Sequence, residues 1–227
     1  MVKLDLTSNK LTFFDFSNLP QTLVEINLSR NMIERIDNLS SVNNLKWPLL
    51  THIDISHNKL KSLELDLEFP VLREVHMSHN FFKQIPPSFL KPKLFSIVAT
   101  DNCISDNDGF DLSHMENLVD VDLSTNNLKF VPCVHSNLKR LGLSQNKIQT
   151  IDKLYPENYY LRDDFRSSLI ELRLCNNRIN CLPEKYLLPL TKLKVLDLSK
   201  NDLSALPYCL GYIPELQKLL VDGNPLR

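Results

Sequence analysis

An asparagine returns along this chain at nearly constant intervals. Asn9, Asn31, Asn58, Asn80, Asn102, Asn126, Asn146, Asn177, Asn201 and Asn224 are separated by 22, 27, 22, 22, 24, 20, 31, 24 and 23 residues. Aliphatic residues fill the same offsets around each one, in the pattern LxxLxLxxNxL. LTHIDISHNKL from Leu50 and LREVHMSHNFF from Leu72 are two copies, and LKVLDLSKNDL from Leu193 is a third. A unit this short cannot bury its own apolar face, so a fixed period of about 20–30 residues implies stacked repeats, a solenoid. Within the unit the aliphatic residues alternate, which sends the fourth and sixth (Leu196 and Leu198) inward and predicts the third, fifth and seventh on the opposite face. Each repeat then supplies one short strand. Strands stacked in register make a parallel sheet on the concave side, with helical or irregular second halves on the wider convex side.

The asparagine falls where the chain leaves the strand and its backbone groups lose their ladder partners. A side-chain amide both donates and accepts, so a stack of asparagines can satisfy those groups and bridge successive turns. The ten asparagines are therefore expected to be structural.

Composition narrows the function. The 227 residues are 43% hydrophobic and carry a net charge of −1, the profile of a folded protein with no overall field to draw nucleic acid or an anionic membrane. No apolar run is long enough to span a bilayer, and MVKLDLTSNK lacks the apolar stretch of a signal peptide. The five cysteines, Cys103, Cys133, Cys175, Cys181 and Cys209, are odd in number and show no CxxC spacing, which fits reduced thiols better than a disulfide framework or a zinc site. The sequons at Asn27 and Asn38 are expected by chance in a chain so rich in Asn, Leu and Ser. The four glycines form neither a GxGxxG nor a GxxxxGK[ST] loop, and no GxSxG or HExxH occurs. The chain is expected to be no enzyme, to use no cofactor and to act on no small-molecule substrate.

Over its whole length the chain resembles the leucine-rich repeat superfamily, most evidently in LKVLDLSKNDL. The last repeats add second halves of LPxxLxxL type, LPEKYLLPLTKL and LPYCLGYIPEL, and the chain ends DGNPLR. These resemble the intracellular Ras-suppressor and Shoc-type class, and a poorly characterised cytoplasmic group whose arrays contain GNP(L/F)R. The resemblance implies a curved right-handed α/β superhelix and a binding scaffold that holds a protein partner on its concave face. It also implies the cytoplasm, with the nucleus as second choice and secretion disfavoured. Nucleic-acid binding, or a regulatory role in a phosphatase or small-GTPase pathway, is the alternative. Residues 1–227 read as a single domain of about ten repeats whose ends show no polar caps.

Three stretches break the period, and insertions in repeat proteins map to loops. The longest, between Ile148 and Leu169, has Pro156 at a helix start followed by Tyr159, Tyr160, Asp163, Asp164 and Phe165, and is expected to pack as a longer convex helix. A second holds the only tryptophan, Trp47, expected as core filler. The third carries Asp106 and Asp108 but lacks the spacing of a calcium loop.

Charges at the exposed offsets segregate along the repeats. Repeats three to six carry Asp54, Glu74, Asp101, Asp120 and Asp122 against Arg73. Repeats seven to ten carry Lys139, Arg140, Arg173, Lys194, Lys200 and Lys218 against Glu171, Asp197 and Asp222. Asp54, Glu74, His76, Asp101, Asp120, Asp122, Arg140, Arg173 and Lys200 are the candidate contact residues for a bipolar protein partner. His57, His79 and Asp101 share one turn-edge column, whose spacing permits zinc without demanding it; a solvated strip with no metal is the adopted reading.

Overall fold

In the computed structural model, residues 1–17, 19–37, 47–63, 68–105, 111–160 and 166–227 are described. They form two compact units, Met1–Ile104 and Ser105–Arg227. The calcium-loop stretch 106–110, residues 161–165 of the long insertion and the Asn38 sequon lie outside the described residues.

The first unit contains β1 (Lys3–Asp5), β2 (Phe13–Asp15), β3 (Glu25–Asn27), β4 (Arg35–Asp37), β5 (His52–Asp54), β6 (Glu74–His76) and β7 (Ser96–Val98). β1, β3, β5, β6 and β7 pair in that order, all parallel, and the register sets Leu4, Ile26, Ile53, Val75 and Ile97 side by side. β2 and β4 form a separate parallel pair. The strands last three residues because the pattern supplies only one alternation before the chain turns. The wide second repeat is filled by rings: Phe16 lies edge-on to Trp47 at 5.2 Å, and Trp47 faces Phe69 at 6.0 Å. Trp47 is 1% exposed, as its role of core filler requires.

The second unit contains β8 (Asp111–Leu112), β9 (Asp120–Asp122), β10 (Cys133–Val134), β11 (Arg140–Gly142), α1 (Glu157–Tyr160), β12 (Glu171–Arg173), α2 (Glu184–Leu187), β13 (Val195–Asp197), a 3-10 helix (Tyr208–Tyr212) and β14 (Lys218–Leu220). β9, β11, β12, β13 and β14 pair in parallel, with Val121, Leu141, Leu172, Leu196 and Leu219 in register. β8 and β10 form a second parallel pair. In the long insertion α1 begins directly after Pro156, where the missing N–H costs nothing. The buried Tyr155 hydroxyl shares a hydrogen bond with Ser167, and Tyr160 meets Tyr186 edge-on at 4.9 Å. The described part of the insertion thus packs its aromatics.

The asparagines join each repeat to its neighbour. Asn58 Nδ2 donates to the carbonyls of Ile55, in its own repeat, and of Leu28, in the one before, both at 3.0 Å. Its Oδ1 accepts the Ile33 N–H at 2.9 Å. Asn80, Asn146, Asn177 and Asn201 repeat the arrangement. Asn9 is exposed and donates only within its own repeat, to Leu6 and Thr7.

Two features were not expected. The seventh position is buried where it holds Ser29, Ser56, Ser78 or Ser199, because the chain has already begun to turn inward there. The eighth position adopts the left-handed conformation in every repeat. Ser8, Arg30, His57, His79, Asp101, Thr125, Gln145, Asn176 and Lys200 have φ between 53° and 59°, and Gly223 has 71°. A side chain in that region costs about 1–2 kcal/mol.

Candidate functional site

The middle residue of each principal strand is buried, except in β1 and β14, where Leu4 and Leu219 are half-buried, so the first and third residues form two parallel rows on the other face. In the first unit one row reads Lys3, Glu25, His52, Glu74, Ser96, and the other reads Asp5, Asn27, Asp54, His76, Val98. Between the rows, across β1, β3, β5 and β6, runs a hollow of about 170 Å3 floored by Ile26 and Ile53. In the second unit the rows read Asp120, Arg140, Glu171, Val195, Lys218 and Asp122, Gly142, Arg173, Asp197, Leu220. Here a hollow of about 160 Å3 spans β9, β11 and β12. Gly142 keeps it open: a Cβ there would lie 2.6 Å from Asp122 Oδ1.

The charges of the two faces are satisfied differently. In the second unit Arg140 reaches Asp120 Oδ2 with Nε at 3.0 Å and Nη2 at 2.6 Å, and Arg173 reaches Glu171 at 2.6 Å. In the first unit the first row pairs internally, Lys3 with Glu25 at 2.6 Å and His52 with Glu74 at 3.5 Å. The third-position acids have another task. Oδ1 of Asp5, Asp54, Asp122 and Asp197 accepts the N–H two residues on, at Thr7, Ser56, Ser124 and Ser199, and Asn27 does the same for Ser29. The recurrent D-x-S is thus a turn cap in which the side chain imitates a backbone carbonyl, while Oδ2 stays outside the turn.

The turn edge carries a further cluster. The imidazoles of His57 and His79 stack with centroids 4.0 Å apart, and His79 Nδ1 lies 2.7 Å from Asp101 Oδ2. Partial burial, the neighbouring His79 and Arg30 hold the His57 imidazole below the usual histidine range. Among the described residues no three His, Cys, Asp or Glu side chains converge as metal ligands would. Cys133 is no activated nucleophile: burial first, and then Asp111, push its thiol up to about 11.

The structure therefore gathers Asp54, Glu74 and His76 in one hollow and Asp120, Asp122, Arg140 and Arg173 in the other. It leaves Asp101 and Lys200 in neither; both sit at left-handed turn positions. The charge boundary drawn between repeats six and seven separates Asp120 from Arg140, which are joined by an ion pair. Lys3, Asp5, Glu25, Asn27 and His52 also line the first hollow and were not among the expected residues, although the same offsets in repeats one to three mark them.

Residues 167–226 match the family described as leucine rich repeat. Chaoptin of Drosophila melanogaster is 28% identical over 230 residues, covering all of this chain and 14% of chaoptin. Osteomodulin of Bos taurus is 30% identical over 219 residues, covering 92% of this chain and 49% of that protein. The chain thus spans less than half the length of these relatives. The solved structure of a leucine-rich-repeat protein of Leptospira interrogans superposes on 99% of the chain and 55% of its own length, with a TM-score of 0.72 at 24% identity. No helix among the described residues is long and apolar enough to cross a membrane. The strand-per-repeat parallel sheet, the asparagine ladder and these likenesses agree: the fold is the leucine-rich-repeat solenoid.

Proposed function

We propose that this chain is a protein-binding module that holds its partner on the outward rows of its strands. The observation that carries this reading is the contrast between the two sides of each strand. The inward positions are uniformly aliphatic, whereas the outward ones vary through Lys, Glu, His, Asp, Asn, Arg and Gly while being held in fixed register. A rigid backbone bearing varied polar side chains suits recognition, since little ordering entropy remains to be lost on binding. Leucine-rich-repeat proteins are generally protein-interaction modules. Asp54, Glu74, His76, Asp120, Asp122, Arg140 and Arg173 are the contact residues this reading favours, and Asp101 and Lys200 extend it along the turn edge. Nucleic acid is disfavoured by the carboxylates of the first hollow, which would face a phosphate backbone. The five free cysteines support a reducing compartment, in keeping with the Ras-suppressor-like class and the cytoplasm.

The test is capture of partners from extract with the chain as bait, beside two baits altered on the strand face: Glu74→Lys with His76→Glu, and Arg140→Glu with Arg173→Glu. A protein retained by the unaltered chain and lost with either altered bait is the expected result. Retention unchanged by both, or retention that depends on RNA, contradicts the reading.

A further inference from the structure

The first hollow differs from the second in one chemical respect. Its wall of Asp5, Asn27, Asp54 and His76 carries two carboxylates that form no ion pair among the described residues; Lys3, held by Glu25, adds only a secondary charge effect on Asp5. Both hydrogen bonds from Thr7 go to Asp5 Oδ1, and the one from Ser56 goes to Asp54 Oδ1, so both Oδ2 atoms are left to the hollow. On the opposite wall Glu25 and Glu74 are already engaged by Lys3 and His52. The lining as a whole holds four carboxylates, two histidines and one lysine. The Thr7 hydroxyl and amide also hold Asp5 below the usual carboxylate range, which keeps it charged.

Spacing decides what such a wall can bind. Asp5 and Asp54 are two strands apart, about 10 Å at the ordinary strand separation. A metal ion keeps its oxygen ligands within about 2–2.6 Å, so these two carboxylates cannot share one. Two separate cations on long, flexible side chains can reach both. An extended chain places alternate side chains on one face about 7 Å apart, within the reach of arginine or lysine to either carboxylate.

We propose that the strand face of the first unit docks a basic segment of a protein partner, with alternate arginine or lysine side chains seated on Oδ2 of Asp5 and of Asp54. This rests on the protein-binding reading above and names the chemistry of the partner at that face. The second unit lacks the property: its one carboxylate outside an ion pair at the hollow, Asp122 on β9, shares the hollow with the guanidinium groups of Arg140 on the adjacent β11 and Arg173 on β12 beyond it, which disfavour a further cation.

The probe is an eight-residue peptide alternating arginine and glycine, labelled for fluorescence anisotropy and titrated with the full chain at low salt. A matched peptide alternating glutamate and glycine is the control. Asp5→Asn with Asp54→Asn removes both charges and keeps the turns, because Asn27 already caps Ser29 in the same way. The arginine peptide is expected to bind the unaltered chain, to lose at least tenfold in affinity for the double variant and at least threefold for Asp54→Asn alone, and to change less than twofold with Asp122→Asn. The glutamate peptide is expected not to bind. Equal affinity for the double variant, equal binding of the glutamate peptide, or no binding of the arginine peptide overturns the proposal. Such a failure leaves the protein-binding reading standing, since that reading falls by the capture experiment alone, through unchanged retention by both altered baits or retention that depends on RNA.

Discussion

The two units are built alike and finished differently. Each has five principal parallel strands, aliphatic middle residues that are buried in four of the five, bridging asparagines and capped turns. On the face opposite the core, however, the second unit sets Arg140 and Arg173 against its acids, while the first leaves Asp5 and Asp54 outside any ion pair among the described residues. In a repeat protein the scaffold is fixed by a few inward and turn positions, and the outward ones are released to carry specificity. Shared architecture therefore says little about what each stretch binds.

The comparison is broken most severely by removing its shared core. Ile55→Ala in the first unit and Leu123→Ala in the second each delete a fully buried side chain, and each should cost about 2–5 kcal/mol in denaturant unfolding. Similar losses mark the cores as equivalent, whereas a loss below about 0.5 kcal/mol at either site would mean that its inward register is wrong.

Next in size is the ladder. Asn58→Ala and Asn146→Ala strand buried backbone groups in one unit each and should cost about 1–3 kcal/mol. Asn9→Ala should cost less than about 0.5 kcal/mol, since that side chain is exposed and makes no bridge to another repeat. Equal losses at Asn9 and Asn58 would contradict the bridging role.

The smallest expected effect is on pH dependence, and it belongs to the first unit alone. Because the fold holds the His57 imidazole below its ordinary range, the unfolded chain takes up that proton first as pH falls. The contribution of His57 to stability is thus complete above the unfolded pKa of about 6.5 and declines as pH falls through the folded value. Thermal midpoints at pH 7.5 and 5.5 should differ slightly more in the unaltered chain than in His57→Gln. An identical difference would show that the stacked pair is indifferent to charge.

Much of this was legible in the sequence because inward packing and turn satisfaction recur with the period. Leu196, Leu198 and the asparagines could be assigned from spacing alone. The left-handed eighth position was not, since it holds Ser, Arg, His, Asp, Thr, Gln, Asn, Lys and Gly and so carries no residue signature. Nor could the pattern reveal that the aspartate of D-x-S spends one oxygen on a turn, or that Asp120 and Arg140 cancel across adjacent strands. Counting charges by offset treats them as independent, but strands in register bring them within contact distance. The same counting passed over Asp5 and His52, which lie in the first three repeats and complete the first hollow.

The claim that side-chain charge, and not scaffold, separates the two faces is tested most directly by exposing the acids of the second unit. Arg140→Ser with Arg173→Ser would free Asp120 and Glu171 beside Asp122 while leaving the core untouched. Exposed ion pairs of this kind contribute only about 0–1 kcal/mol, so the thermal midpoint should hardly move. Titration calorimetry with the arginine–glycine peptide should then show one bound peptide per unaltered chain and two per variant. A variant that keeps its thermal midpoint and still binds a single peptide would contradict the account.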